Sequence, residues 1–259
     1  MPSPSPFPTS PERAPAIAVA GLTLLYGGTP LYDGFSAQFP AGRTTALLGR
    51  SGVGKSTLLK AIAGLAPTQA GRATDGSGGD LAGRIAYMDQ KPLLMPWLSV
   101  LENVTLGARL RGERADTARA RAILAEVGLA GREGDRPAAL SGGMRQRAAL
   151  ARTLMEDKPI VLMDEPFSAV DAITRLELQA LAVRMLAGRT CLLVTHDPLE
   201  ALVLADRIHV LEGAPVRLSP ALEPDTEGAG APPRAPADAA VRPLLDRLIG
   251  SLRGAEAHT

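Results

Sequence analysis

The chain has 259 residues, of which 46% are hydrophobic and 21% are charged, the balance of a folded domain with one sizeable core. A formal net charge of +1 gives no field that favours nucleic acid, so we predict no nucleic-acid partner. A single cysteine, Cys191, excludes an intramolecular disulfide and a cysteine-based metal site.

The amino-terminal segment is rich in proline and serine and has no apolar run. We therefore predict a disordered lead over 1–15 and not a secretory signal. No run of 18 apolar residues occurs, so we expect no membrane-spanning helix. The ordered domain is predicted over 16–220, followed by an Ala/Pro-rich tail, 221–259, with a short carboxyl-terminal helix near 239–252.

The first half of the domain alternates strands, glycine-rich turns and one helix. Strands are predicted over 17–26, 34–39 and 44–48, and the third runs into a glycine-rich loop and a helix over 56–65. Five glycines and two aspartates between positions 71 and 83 indicate a flexible hairpin or loop. A further strand is predicted over 84–88.

The second half begins with a helical region and continues as strands and helices in alternation. Helical periodicity extends over 99–136, within a helical subdomain predicted at about 92–139. The alternation predicts a largely parallel sheet flanked by helices. Its strands are predicted at 160–163, 190–195 and 207–211, and its helices at 172–186 and 198–204.

The loop after the third strand matches the phosphate-binding pattern G-x-x-x-x-G-K-[ST] at every fixed position. Its glycines let successive backbone N–H groups point at phosphate oxygens, and the following helix adds partial positive charge. We predict that Lys55 reaches the β- and γ-phosphates of ATP and that the Ser56 hydroxyl binds Mg²⁺. The predicted ATP-binding residues of the loop are Gly49, Arg50, Ser51, Gly52, Val53, Gly54, Lys55, Ser56 and Thr57.

An acidic pair follows the apolar strand at 160–163. The carboxyl end of such a strand is where α/β folds bind ligands. We predict that Asp164 holds Mg²⁺ and that Glu165 orients or deprotonates the attacking water. Taken alone, two adjacent carboxylates could also form a solvated turn.

Together with the phosphate loop and the acidic pair, five further motifs resemble those of the ATP-binding cassette (ABC) family and occur in its order. The run LSGGMRQR at 140–147 resembles the family's signature, and the segment SAVD at 168–171 resembles its D-loop, with Val170 where leucine is more usual. Gln90 resembles the Q-loop glutamine and His196 the switch histidine. Tyr26 resembles the aromatic residue that stacks on adenine, although Tyr32 lies nearby.

The resemblance implies an α/β fold of the P-loop NTPase class, an ABC cassette. Such a cassette has a mostly parallel sheet core, an antiparallel β subdomain and a helical signature subdomain. The resemblance also implies a homodimer in which each ATP lies between the phosphate loop of one copy and the signature of the other. The signature residues that would contact ATP in trans are Ser141, Gly142, Gly143 and Gln146.

The resemblance implies further roles within each site. Gln90 would sense Mg²⁺ and the attacking water, and is counted with Ser56 and Asp164 among the Mg²⁺ residues. His196 would contact the γ-phosphate and hold Glu165 in the reactive arrangement. Asp171 would link the two sites across the dimer.

A stand-alone cassette of this kind implies an importer with separate membrane permease subunits. We expect a peripheral position on the cytoplasmic face of the membrane and a periplasmic or extracytoplasmic solute-binding protein as a further partner. The segment 91–97 follows Gln90, where the family docks its membrane partner. Trp97 is expected either in that contact or in the core.

The segments 87–100 and 107–112 resemble those of importers for nitrate, sulfonate, taurine and related compounds. Within that group they are most similar to subunits that serve hydroxymethylpyrimidine, the thiamine precursor. The alternative is a soluble non-transport ABC ATPase with a regulatory or DNA-associated role. Near-neutral charge and the compact spacing between phosphate loop and signature argue against it.

Overall fold

The computed structural model describes residues 14–254. The predicted disordered lead over 1–15 therefore lies outside the described residues except for its last two positions. Ala14 is buried, and the carbonyl oxygen of Pro15 accepts a hydrogen bond from the Thr190 hydroxyl at 2.7 Å. These two residues thus pack against the domain.

A six-stranded sheet forms the centre of the molecule. The strands of the described residues are β1 (Ile17–Tyr26), β2 (Thr29–Phe39), β3 (Thr44–Leu48), β4 (Ala70–Thr74), β5 (Ile85–Met88), β6 (Ile160–Asp164), β7 (Thr190–Thr195), β8 (Arg207–Glu212) and β9 (Arg217–Leu218). The sheet has the order β5-β6-β7-β3-β8-β9, and its first five strands are parallel. Only β9 pairs antiparallel. The strands β3, β6 and β7 are almost wholly buried, as expected for parallel strands with both faces covered.

A separate antiparallel sheet has the order β2-β1-β4. Its third strand corrects the prediction of a flexible hairpin or loop over 71–83, because Ala18 to Ala20 pair with Arg72 to Thr74. The sequence of β4, AGRAT, lacks the bulky alternating residues that indicate a strand. Pairing with β1 therefore determines its conformation, and local preference does not.

Eight α-helices occur among residues 14–254. They are α1 (Lys55–Ile62), α2 (Val100–Val104), α3 (Leu106–Leu110), α4 (Thr117–Glu126), α5 (Gly142–Met155), α6 (Ala172–Leu186), α7 (Pro198–Leu204) and α8 (Val241–Gly254). The region 99–136, expected to be helical, contains three of them. Ser99 begins α2 with a capping box, because its hydroxyl accepts from the Glu102 N–H and Glu102 accepts from the Ser99 N–H.

Three buried apolar clusters hold the layers together. One joins α2, α4, α5 and α6 to one face of the parallel sheet, and a second joins α1 and the antiparallel sheet to the other face. The third joins β3, β8 and α7 to the chain beyond Pro220, through Leu222 and the buried face of α8. The fold class given above is thus confirmed. None of the helices within 14–254 has the length and apolar character needed to cross a bilayer.

Candidate active site

Three neighbouring strands bring the predicted site residues to one edge of the parallel sheet. The order β6-β7-β3 places the ends of these strands side by side, with Asp164 at the end of β6 and Thr195 at the end of β7. The phosphate loop follows β3, and His196 follows β7. Parallel strands make this possible, because their carboxyl ends all open at the same edge.

The phosphate loop curls tightly around a buried lysine. Lys55 begins α1, and its Nζ donates to the carbonyl oxygens of Gly49 at 2.6 Å and Arg50 at 2.8 Å. Burial lowers the pKa of Lys55, an effect opposed by the charges of Glu165 and Asp164. Gly54 precedes the helix with φ of 109°, a conformation that favours glycine.

Asp164 is a buried carboxylate with one unused oxygen. Burial raises its pKa, whereas a hydrogen bond from Ser56 lowers it. Its Oδ1 is fully enclosed and has no hydrogen-bond partner. An unpaired carboxylate oxygen in the interior is costly, so this atom is suited to binding a cation.

Glu165 is held by two other predicted site residues. Its Oε1 lies 3.1 Å from His196 Nδ1, and its Oε2 accepts a hydrogen bond from the Gln90 side-chain amide at 3.0 Å. Its backbone has φ of 46°, which is uncommon for a residue with a side chain, and such strained conformations cluster at functional sites. The structure therefore places the acidic pair, Gln90, His196 and the phosphate loop at one location.

A cavity of about 330 Å³ opens beside these groups. The position of this cavity distinguishes between the two tyrosines that the sequence left as alternatives for stacking on adenine. Tyr26 lies at the cavity and is 77% exposed, whereas Tyr32 is buried and donates its hydroxyl to the Gly54 carbonyl oxygen at 3.0 Å. The cavity is lined by Tyr26, Leu31, Ser51, Gly52, Gly54, Lys55, Ser56, Thr57, Gln90 and Glu165.

The signature residues do not line this cavity. Ser141 is the N-cap of α5, and its hydroxyl accepts from the Met144 N–H at 3.2 Å. Gly142 is exposed, and a side chain built there would meet no atom within 4 Å. The start of α5 is thus an exposed helix N-terminus, which suits an anion brought by another molecule.

Gln146 differs from its predicted position in trans. Its side chain is 1% exposed, and its amide nitrogen lies 3.4 Å from the Glu165 carbonyl oxygen of the same chain. The side chain points inward because position 146 lies on the face of α5 that packs against the sheet. In this structure Gln146 therefore connects the signature helix to its own acidic pair.

Asp171 caps the next helix. Its carboxylate accepts from the Thr174 N–H at 3.1 Å, and this hydrogen bond lowers its pKa. The residue remains exposed, two positions after Ala169, whose carbonyl oxygen lies close to Gly143. The signature and the D-loop therefore form one continuous surface.

A buried pair next to His196 is absent from the site residues that the sequence predicted. The Thr195 hydroxyl donates to Glu200 Oε2 at 2.5 Å and accepts from the Asp197 N–H at 3.0 Å. Burial raises the pKa of Glu200 to about 7. A glutamate in the first turn of a helix is normally exposed to solvent, so no pattern in the sequence indicated that Glu200 is buried.

The segment 91–97 is an ordered surface loop. The buried Asn103 side chain binds the backbone of Met95, Leu98 and Ser99. Arg152 of α5 donates to the carbonyl oxygens of Pro92 and Leu93 at 2.8 and 2.9 Å. Trp97 is 67% exposed, so it is not a core residue.

Comparison with known proteins identifies the family. The ABC transporter family matches residues 32–168. The chain belongs to the ABC transporter family. A dimeric structure of an ABC transporter cassette is 28% identical, with a TM-score of 0.71, and the match covers 80% of this chain and 98% of that one.

Curated relatives of this ABC protein are named as aliphatic sulfonates import ATP-binding proteins. That of Burkholderia ambifaria is 44% identical over 246 residues, covering 93% of this chain and 73% of the relative. That of Mesorhizobium japonicum is 42% identical over 259 residues, covering 95% of both chains. That of Streptomyces avermitilis is 50% identical over 202 residues, covering 76% of this chain and 77% of the relative.

These findings confirm the resemblance to the nitrate, sulfonate and taurine importer group. The chain is an ATP-binding subunit of an ABC importer and hydrolyses ATP. The alternative of a non-transport ABC ATPase is not favoured by these relatives.

Proposed function

We propose that this ABC subunit hydrolyses ATP in composite sites formed by two copies of the chain, and that the energy drives import of an aliphatic sulfonate. The main support for a composite site is that the cavity and the signature are separated within one chain. The cavity holds the phosphate loop, Gln90 and Glu165, yet the signature at 141–143 lies outside it. A second copy supplies the missing signature, as a dimeric relative of 28% identity suggests.

ATP enters the cavity with its adenine against Tyr26 and its phosphates in the loop. The exposed ring of Tyr26 offers a face for stacking. The backbone N–H groups of the loop and the N-terminus of α1 bind the phosphate oxygens. Lys55 leaves the carbonyl oxygens of Gly49 and Arg50 and turns to the β- and γ-phosphates.

The residues around Asp164 fit Mg²⁺. Oδ1 of Asp164 is buried without a partner, and Ser56 and Gln90 lie in the same site. Among residues 14–254 no cluster of three or more His, Cys, Asp or Glu residues is suited to a metal. One carboxylate and a hydroxyl are enough for Mg²⁺ when substrate phosphates complete its coordination. Mg²⁺ held there would neutralise charge on the transferring phosphoryl group.

Glu165 orients the attacking water and accepts its proton. Gln90 and His196 hold one carboxylate oxygen each, at 3.0 and 3.1 Å, which sets the direction of the carboxylate. His196 also contacts the γ-phosphate and thereby aligns the water, Glu165 and the phosphorus atom. Catalysis consists of positioning and charge stabilisation.

The signature and D-loop complete the site from the second copy. Ser141 and the N–H groups of Gly142 and Gly143 bind the γ-phosphate at the start of α5. Asp171 lies on the same surface and contacts the opposite site. ATP binding thereby closes the dimer, and ATP hydrolysis allows the two copies to separate.

The segment 91–97 docks a membrane permease on the cytoplasmic face of the membrane. Leu93 and Trp97 expose apolar surface, and Asn103 and Arg152 hold the loop rigid beneath them. The Arg152 bonds connect the loop to the signature helix, and Gln90 directly precedes it. Motion at the ATP site can therefore reach the permease. A solute-binding protein on the opposite side of the membrane delivers the cargo.

The first experiment isolates the tagged full-length chain from its native host in mild detergent and identifies its partners by mass spectrometry. We expect a polytopic permease at a stoichiometric ratio. The Trp97→Ala variant should no longer co-purify with the permease but should keep ATP hydrolysis. Leu65 is an exposed leucine outside the loop, so Leu65→Ala should change neither property. Recovery from the soluble fraction with only DNA-bound or ribosomal partners would refute the transport role.

The cargo is tested on the complex of this subunit, its permease and the solute-binding protein in vesicles. We expect ATP-dependent uptake of a labelled aliphatic sulfonate, abolished by Lys55→Ala. Uptake of hydroxymethylpyrimidine without sulfonate uptake would replace the cargo and leave the ATPase assignment intact.

A further inference from the structure

The chain beyond Pro220 folds back onto the cassette. Leu222 forms an isolated antiparallel bridge with Ile208 of β8. Val241, Leu244 and Leu248 of α8 are buried in the cluster that contains Ala201 and Leu202 of α7. We call the segment 221–254 the tail. The tail is thus part of the packed structure and contacts the helix that follows His196.

One tail side chain penetrates to the end of α7. Arg234 is 4% exposed, and its Nη1 donates to the carbonyl oxygens of Leu202 at 2.8 Å and Ala205 at 2.7 Å. Its backbone N–H donates to the Val203 carbonyl oxygen at 3.1 Å. Its Nε donates to the tail's own Gly230 carbonyl oxygen at 2.6 Å.

These bonds satisfy the last turn of a short helix. The final carbonyl groups of a helix have no partner within it, and a cation at that end is also favoured by the helix dipole. Burying a guanidinium group is costly unless its donors are bonded. Nε and Nη1 of Arg234 are bonded, whereas its buried Nη2 has no hydrogen-bond partner. Arg234 therefore fixes the carboxyl-terminal end of α7 to the tail.

His196 lies two residues before the opposite end of α7. Asp197 caps the helix through the N–H groups of Leu199 and Glu200, and Glu200 binds Thr195. The helix has seven residues, about 10 Å, so it moves as a rigid unit. A shift at its far end therefore reaches the histidine, which lies 3.1 Å from Glu165.

We propose that Arg234 is a positioning residue for ATP hydrolysis: it locks α7 to the tail and thereby holds His196 against Glu165. The inference rests on the proposed role of His196. It assigns the tail a part in the reaction beyond folding. Displacements of about 1 Å in a catalytic group can lower rates by up to about 100-fold, so the effect is measurable.

The test compares Arg234→Met with Arg247→Met in the full-length chain. Both replace a tail arginine with an apolar side chain of similar length, but Arg247 is half exposed and pairs with Glu227 within the tail. We expect Arg234→Met to lower kcat by about tenfold, with the Kd for ATP within about twofold of the parent. Amide hydrogen exchange in α7 should accelerate. Arg247→Met should change none of these.

Arg234→Lys keeps the charge and can bind some of the carbonyl oxygens. We expect it to restore part of the kcat and of the α7 protection. It also decides the question if Arg234→Met fails to fold. A folded Arg234→Met protein with parental kcat and parental exchange in α7 would overturn the proposal. If Arg234→Met does not fold, an Arg234→Lys protein with faster exchange in α7 but parental kcat would overturn it. A loss of ATP affinity equal to the loss of kcat would overturn it as well.

The double variant separates this proposal from the role of His196. If Arg234 acts through the histidine, Arg234→Met should not further slow single-turnover hydrolysis in a His196→Ala background. An additional tenfold loss there would refute the coupling. Parental hydrolysis by His196→Ala alone would instead refute the role of the histidine. Amide hydrogen exchange in α7 would still show whether Arg234 fixes this helix to the tail.

Discussion

Glu165 makes its contacts from a backbone conformation that few side-chain-bearing residues adopt. Its φ of 46° and its contacts with Gln90 and His196 direct the carboxylate to the edge of the ATP cavity. The neighbouring Asp164 is buried and in contact with Ser56. The two adjacent carboxylates thus have different surroundings, which suits the different roles proposed for them.

Glu165→Gln should bind ATP with a Kd within about threefold of the parent and lower turnover by at least about 100-fold. The amide keeps the shape of the side chain but cannot accept the proton of water. Binding is measured with a fluorescent ATP analogue and turnover by phosphate release. Glu177→Gln, an exposed glutamate on α6, should match the parent in both. Full turnover by a well-folded Glu165→Gln would disprove the role.

Glu200 gives the fold a dependence on pH. Burial raises its pKa to about 7, from 4.5 in the unfolded chain, and the titratable groups that also act on this pKa are Asp197, Arg175 and His196. Between these two values the folded state binds more protons than the unfolded state. The contribution of Glu200 to stability is therefore full below pH 4.5 and is lost as the pH rises through 7.

Glu200→Gln removes this titration. Relative to the parent, the variant should gain about 2 kcal/mol in the free energy of unfolding between pH 5.5 and 8.5. Urea denaturation at the two pH values measures the difference. Glu177→Gln, which is exposed, should show no such trend. A stability gap that is independent of pH, or that favours the parent at high pH, would contradict the burial of this carboxyl.

At the scale of elements, local patterns predicted the parallel core well. The strand β7 and the helices α6 and α7 have the predicted bounds, because buried apolar runs and proline or aspartate caps mark them in the sequence. The phosphate loop and the acidic strand were predicted from fixed spacings. Their meeting at one edge then follows from the parallel topology.

Features that depend on distant contacts were not predictable. The strand β4 forms only because β1 offers a partner, and the tail packs only because α7 and β8 leave an apolar surface. The inward position of Gln146 and the Thr195–Glu200 bond depend on which face of a helix meets the sheet. The sequence contains these residues but no local signal of their contacts.

Gly71 tests the packing of β4. Its φ is +78°, and a Cβ at this position would lie within the backbone of Gly21 and Leu22 of β1. Gly71→Ala should lower the free energy of unfolding by more than about 2 kcal/mol. Gly78→Ala, with φ of +95° and no atom within 4 Å, isolates the backbone strain and should lower it by about 1 kcal/mol. Equal losses in the two variants would show that β4 is not held against β1.

At the scale of the whole molecule, the signature lies outside the cavity that the phosphate loop lines. Gly142 is exposed, and a new side chain there meets nothing within the chain. An acidic residue near the start of α5 is also compatible with the helix dipole. Gly142→Asp should therefore fold normally and repel the γ-phosphate only when a second copy presents it.

The most direct test of the composite site is ATP hydrolysis by a mixture of Lys55→Ala and Gly142→Asp chains. Each variant alone should be inactive, whereas Gly142→Asn, a neutral side chain of the same size as aspartate, should retain more activity than Gly142→Asp. Mixed dimers contain one site with an intact phosphate loop and an intact signature. The mixture should recover at most about a quarter of the parental rate, because half of the dimers are mixed and each has one intact site. Activity of either variant alone, or a mixture no more active than its components, would contradict hydrolysis between two copies of this chain.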